Sequence, residues 1–262
     1  MSLSPSLKKY NFIKYKYSGA GNTFIIFDNR ENLFPSDNRS LICDLCNPLE
    51  GKTFDGIILL EKGEIQKVNY RMRIFNSDAS EAEMCGNGIR CLIRFLLDLG
   101  EGKVEYAIET LAGILKAKID KGQIHIKMPT IKTLQLNYPV IIDNKNYLLH
   151  FINTGVPHAV IFLDEIDEVP LEHWTEILKK DPLFHPEGSN FNIAEIQKGN
   201  LIRLRTYERG VKAETLACGT GALASAYLAS KFYSNYSRYQ IQVASGECLS
   251  IDFTEGEKNA WM

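Results

Sequence analysis

An internal repeat limits what this chain can fold into more than any other feature. The stretches "EAEMCGNGIRCLIRFLL" from Glu81 and "KAETLACGTGALASAYLA" from Lys212 align on Cys85 and Cys218, an offset of 133 residues. Gly113 and Gly246, which break the strand pairs "YAIETLAGILKAKI" and "YQIQVASGECLSIDF", return the same 133. Upstream, "YSGAGNTFIIFD" parallels "INTGVPHAVIFLD" and "FDGIILLEKG" parallels "FNIAEIQKG". Asp28 thereby pairs with Asp164, and Gly63 with Gly199, at a slightly larger offset. Each half reads strand, loop, helix, strand, strand, cysteine loop, helix, strand pair.

A chain of 262 residues is long for one core and comfortable for two. The segment after Cys85 is apolar from Ile89 to Leu99 except for Arg90, Arg94 and Asp98, one narrow polar stripe at i, i+4 and i+8. After Cys218 the segment Ala222 to Ala229 is small or apolar nearly all round. A helix apolar on most faces is surrounded by protein. The expected fold is therefore α+β: two pseudo-symmetric lobes, each a curved, mostly antiparallel, barrel-like sheet wrapped around a central helix. The active site is expected in the cleft between them. The boundary is expected at Gly122, giving an N-terminal lobe of residues 1–122 and a C-terminal lobe of 123–262.

Composition narrows the function classes. A formal net charge of -2 supplies no field for nucleic acid. The opening "MSLSPSLKKYNF" lacks the apolar core of a signal peptide, and no apolar run approaches the ~20 residues that span a bilayer. The expectation is a cytoplasmic protein with no membrane partner. Of the six cysteines, Cys43 and Cys46 form a lone CxxC; a zinc site needs a second pair, so a short buried helix is expected there and no metal site.

Each matched cysteine opens a CGxG turn: Cys85-Gly86-Asn87-Gly88 and Cys218-Gly219-Thr220-Gly221. Glycines let the backbone turn so that free N–H groups at the helix start converge on one ligand. Those donors and the positive end of the helix dipole suit a carboxylate. Removal of a proton from the carbon beside a carboxylate builds charge on its oxygens, and preorganised N–H donors stabilise that charge. A thiolate on one face and a thiol on the other would invert the carbon without a cofactor, titrating as a coupled pair.

These residues resemble the diaminopimelate epimerase family. The match covers nearly the whole chain and rests on "FNSDASEAEMCGNGIRC" at 75–91 and "YERGVKAETLACGTGA" at 207–222. Supporting motifs are "GAGNTF" at 19–24, "FDG" at 54–56, "NTGVPH" at 153–158 and "GSNFN" at 188–192. The resemblance implies conversion of LL- to meso-diaminopimelate without pyridoxal phosphate, in lysine and peptidoglycan precursor biosynthesis. It implies Cys85 and Cys218 as the acid/base pair. Gly86, Asn87, Gly219 and Thr220 would offer N–H groups to the reacting carboxylate. Asn76 and Glu208 would hold the ammonium at the reacting centre, with His158 in support near Glu208. Asn22, Asn190 and Arg209 would bind the distant amino-acid group. A homodimer is one expectation for the assembly, and the only ligand expected is the amino-acid substrate.

Three departures set this chain apart. Lys212-Ala213 stands where the family pattern has a single Gly, so the segment from Arg209 to Cys218 is expected to loop differently. Val156 replaces an Asn in "GVPH" and removes a side-chain amide. The sequence closes on "NAWM" without the family's "GPA" ending, so the last strand is expected to be missing. Two other readings remain open. One is a broader racemase acting on glutamate or proline-type substrates, with Asn87 where proline-type relatives tend to carry His. The other is an amino-acid binding protein, which would need the N–H donors and not the thiols.

Overall fold

The protein is described from a computed structural model covering residues 12–48, 51–66, 68–233, 235–254 and 259–262. The expectation about a leader concerns residues 1–11 and lies outside these. Among the described residues, no helix is long and apolar enough to cross a membrane. The chain divides into two compact units, Met1–Ile126 and Lys127–Met262.

The first unit contains β1 (Tyr15–Gly19), β2 (Asn22–Asp28), α1 (Arg39–Cys46), β3 (Gly56–Lys62), β4 (Tyr70–Asn76) and β5 (Glu81–Ala82). After these come α2 (Gly86–Asp98), β6 (Glu105–Thr110), β7 (Gly113–Asp120) and β8 (Gln123–Ile126). Its sheet runs β1-β2-β3-β4-β6-β7-β8, with β5 on β4. Pairing is antiparallel except at β2 with β3 and β4 with β6. The expected break at Gly122 is instead the turn of the β7–β8 hairpin, with Gly122 at φ +78° and Ile119 opposite Ile124. Hydrogen bonding of β8 to β7 keeps residues 123–126 in the first unit.

Alternation along the central strands explains the layering. Phe24, Ile26, Ile58 and Leu60 point to one face and join Ile89, Leu92, Ile93, Phe95 and Leu96 of α2 in one core. Ile25, Phe27, Ile57 and Leu59 point the other way and pack with Leu41, Ile42, Leu45 and Cys46 of α1. The strands are thus buried on both faces, and α2 packs against β1, β2, β3, β4 and β8. Its polar stripe is used locally: Arg94 pairs with Asp98 at 3.2 Å, and the Tyr17 hydroxyl donates to Asp98 at 2.7 Å. The CxxC lies in α1, an eight-residue helix capped by Asn38, whose side chain accepts from the Leu41 N–H.

The second unit repeats the plan with β9 (Lys132–Ile142), β10 (Lys145–Asn153), β11 (Pro157–Phe162), α3 (Leu171–Leu178), β12 (Asn190–Ile196) and β13 (Leu201–Glu208). It continues with β14 (Ala213–Thr215), α4 (Gly219–Phe232), β15 (Arg238–Gln242), β16 (Cys248–Thr254) and β17 (Asn259–Trp261). Its sheet order is β17-β16-β15-β13-β12-β11-β10-β9, with β14 on β13; β11 with β12 and β13 with β15 are the parallel pairs. The helix α4 is buried from Gly221 to Ala226 and again at Leu228 and Ala229, and packs against β10, β11, β12, β13, β15 and β16. Small side chains let it sit that close to so many strands. The last strand is present, against expectation: Phe253 of β16 pairs with Ala260 of β17, and the Met128 N–H donates to the Ala260 carbonyl.

Candidate active site

Strand register gathers the sequence-selected residues on one rim in each unit. In the first, Phe24 lies opposite Gly56 and Gly56 opposite Asn76, so the start of β2, the start of β3 and the end of β4 share an edge. In the second, His158 lies opposite Asn190 and Phe191 opposite Tyr207, which brings the starts of β11 and β12 to the end of β13 at Glu208. By the same logic Asn22 and His158 occupy equivalent places, as do Asn76 and Glu208. In both units the cysteine follows a short return strand, β5 or β14, paired to the strand that ends at this rim. The two cysteines are the N-caps of α2 and α4, both in extended backbone, at φ -143° and -129°.

At the first rim the half-buried Cys85 sulfur accepts the Gly88 N–H at 3.3 Å. Asn87 is 4% exposed, and its side chain is a bridge: Nδ2 donates to Asn22 Oδ1 at 2.8 Å while Oδ1 accepts from Arg90 Nη2 at 2.7 Å. Asn22 is thereby fixed beside the cysteine turn. Asn76 is exposed at the end of β4, with Nδ2 on the Ser80 hydroxyl at 2.9 Å.

At the second rim Cys218 is 6% exposed, and its sulfur lies 3.5 Å from the Thr220 hydroxyl. The wholly buried His158 places Nε2 2.9 Å from that same hydroxyl and Nδ1 3.0 Å from Asn192 Nδ2. Glu208 accepts from the Thr215 hydroxyl at 2.7 Å. Asn190 Oδ1 accepts the Arg209 N–H at 3.0 Å, and the exposed Arg209 guanidinium donates to the Glu187 carbonyl. The extra residue of the "ERGVKAET" loop is absorbed in the turn, where Lys212 takes a left-handed φ of +57°. Glu208 still pairs opposite Ala213, so the Glu208–Thr215 contact is kept.

The second glycine of each CGxG is required by close approach, not by an unusual φ. A Cβ on Gly221 would lie 2.7 Å from Asn192 Oδ1 and 3.2 Å from Thr206 Oγ1. On Gly88 it would lie 3.1 and 3.2 Å from the Ile74 and Ile58 methyls. The first-turn N–H groups of a helix have no carbonyl partner within it and lie at the positive end of its dipole, which equips either turn to receive an anion, although the Gly88 N–H is already given to the Cys85 sulfur.

Burial dominates the electrostatics of the second rim. It pushes the Cys218 thiol up to about 12, with the Glu208 carboxylate adding to the effect; the Thr220 hydroxyl and the N–H groups of Gly221 and Thr220 pull the other way, although no capping hydrogen bond is formed. Burial also raises Glu208, against the pull of the Thr215 hydroxyl and the Cys218 side chain. His158 is driven down to about 3 by burial, and the Arg209 charge acts in the same direction. It is neutral throughout the physiological range.

A pH dependence of stability follows. The unfolded chain protonates His158 below about pH 6.5 and the folded one only near 3. Stability from this group is therefore complete above 6.5 and is lost as pH falls through that window, by up to a few kcal/mol. His150, lowered by burial, acts in the same sense, whereas the raised Glu208 carboxyl opposes both above its unfolded value. Urea denaturation from about pH 7 to 5 should show the loss, and His158→Gln should flatten it. An unchanged slope in the variant would refute the assignment.

Sequence inspection missed Thr206 and Thr215 and weighed Asn192 only as the alternative to Asn190; Asn192 touches His158, Thr215 touches Glu208, and Thr206 touches Asn192. Asn192 carried a signal, since it shares a strand face with Asn190 at i and i+2. Neither threonine carried one.

A family model described as diaminopimelate epimerase matches residues 14–131 and 150–262. A diaminopimelate epimerase of Hydrogenobaculum sp. is 38% identical over 249 residues, covering 90% of this chain and 89% of the relative. Another, from Methanocella arvoryzae, is 39% identical over 254 residues, covering 91% and 88%. Among solved structures, a PhzF-family phenazine biosynthesis protein of Bacillus anthracis superposes with a TM-score of 0.68 at 16% identity, covering 95% of this chain and 93% of its own. A hydroxyproline epimerase from Agrobacterium vitis gives 0.67 at 14%, covering 95% and 85%. Those two likenesses establish the shared fold, and the sequence matches over nearly the full length establish the narrower kinship: the chain belongs to the diaminopimelate epimerase family.

Proposed function

We propose that this protein interconverts LL- and meso-diaminopimelate by two-base proton transfer between Cys85 and Cys218, in the route to lysine and peptidoglycan precursors. The observation that carries the reading is the duplicated rim: each cysteine caps a central helix, and strand register brings polar side chains to the same edge both times. The named activity of the relatives supplies the substrate.

The chemistry follows from what these groups can do. One sulfur, as thiolate, takes the α-proton; the other, as thiol, delivers its own proton to the opposite face, and the carbon inverts with no net redox change. Charge that develops on the α-carboxylate is met by the N–H groups of Gly86, Asn87, Gly219 and Thr220. Glu208 is a half-buried carboxylate whose hydrogen-bond partner is the Thr215 hydroxyl, which suits it to receive the substrate's α-ammonium. Asn76 is assigned to the same ammonium. Arg209, Asn190 and Asn22 are assigned to the distal amino-acid group, where a guanidinium favours bidentate recognition of a carboxylate. A binding protein would have no use for the buried thiol at the second helix start. The test is solvent-deuterium incorporation at the α-carbon of LL-diaminopimelate under reducing conditions. Exchange accompanied by formation of the meso isomer is expected; absence of both would overturn the reading.

A further inference from the structure

The geometry points to a one-way hydrogen-bond relay, Thr206–Asn192–His158–Thr220, that aims the Thr220 hydroxyl proton at the Cys218 sulfur and makes Asn192 a positioning residue for that cysteine. The inference rests on the reading of Cys218 as an acid/base group and adds residues that the reading does not contain.

The direction is fixed from one end. Asn192 is 2% exposed, and one end of its amide lies 2.9 Å from the Ala159 carbonyl, which can only accept. That end is therefore the NH2 group, and the other is the oxygen that accepts from the Thr206 hydroxyl at 2.9 Å. One amide hydrogen goes to Ala159, and the second meets His158 Nδ1 at 3.0 Å. A ring nitrogen that accepts carries no proton, so the neutral imidazole holds its hydrogen on Nε2. Nε2–H then donates to the Thr220 oxygen at 2.9 Å. The remaining hydroxyl hydrogen has the Cys218 sulfur, 3.5 Å away, as its partner.

One neighbour opposes this polarity: the Asn190 oxygen is held by the Arg209 N–H, so its NH2 faces His158 Nε2, but at 3.4 Å against the 3.0 Å of the Asn192 contact that sets the tautomer. The Glu208 carboxylate acts on Cys218 through its charge, which disfavours the thiolate. Thr154 holds the backbone in register by donating to the Thr220 carbonyl at 2.9 Å. The charged and titratable groups facing the relay are Glu208 from β13, His158 from β11 and Arg209 at the end of β13. A hydroxyl that donates to sulfur favours the thiolate and counteracts the burial that disfavours it.

The test reads Cys218 directly and needs no turnover, so its failure and that of the epimerase reading are separable. The rate of Cys218 alkylation by iodoacetamide, followed by peptide mass spectrometry, gives its apparent titration midpoint between about pH 7 and 12. Thr220→Val is expected to move the midpoint up by about one unit, with Thr220→Ser restoring the wild-type value. Asn192→Asp keeps the shape but accepts at both ends, so His158 must present Nδ1–H and Nε2 then takes the Thr220 hydrogen. It should raise the midpoint as Thr220→Val does, and the double variant should match Thr220→Val alone. Nitrogen NMR of wild-type His158 should report Nε2–H, a readout independent of whether Asn192→Asp folds. An Nδ1–H tautomer, an unmoved midpoint in Thr220→Val, or additive shifts in the double variant would overturn the relay.

Discussion

Cys218→Ser is expected to lower epimerisation of diaminopimelate by about 10²–10⁴-fold, and Cys85→Ser by a similar factor, the range that a positioned general acid or base contributes. Serine keeps the size of the side chain and removes a group that can ionise near neutral pH. The two single variants should differ in what survives. A variant that retains one sulfur still has a base for one stereoisomer, so α-proton exchange with solvent should outlast inversion, and for opposite stereoisomers in the two variants. Measuring deuterium uptake separately with LL- and meso-diaminopimelate tests this. If each variant kept activity within about tenfold of wild type, two-base chemistry at these cysteines would be excluded.

Gly221→Ala should damage both the fold and the cysteine turn of the second unit. Its Cβ would sit 2.7 Å from Asn192 Oδ1, 3.2 Å from Thr206 Oγ1 and 3.4 Å from His158 Cε1, none of them the far end of a flexible chain. Either α4 retreats, carrying Cys218 with it, or the amide turns and the buried His158 loses its partner. Overpacking of this kind costs about 1–3 kcal/mol, and displacing the cysteine should cost ~10²-fold in turnover. Gly88→Ala meets two isoleucine methyls at 3.1 and 3.2 Å, which can yield by a few tenths of an ångström, so its loss of stability should be smaller. Urea denaturation of both variants separates the cases, and an equal or larger loss for Gly88→Ala would contradict the argument.

Much of this architecture was legible before any coordinates. The offset of 133 residues between matched cysteines announced two equivalent units, and the all-round apolar character of Ala222–Ala229 placed a helix inside a sheet. These features are read from one dimension because burial repeats with the period of the element. The boundary was read less well: Gly122 looks the same in sequence whether it ends a unit or turns a hairpin, and only the pairing of Ile119 with Ile124 decides. The same holds for β17, whose existence depends on the edge that β16 offers to a three-residue segment.

By itself the sequence determined that there are two cysteine turns at helix starts, which residue types surround them, and the family to which they point. Tertiary structure alone decided how those residues are wired. Asn192, Thr206 and Thr215 are ordinary strand residues in sequence, and they became part of the second rim because β12 and β13 pair in a register that stacks them beneath His158 and Glu208. The cause is physical. Which residues line a helix or strand follows from local periodicity, whereas the direction of a buried hydrogen bond depends on which donors and acceptors distant strands bring within about 3 Å of one another.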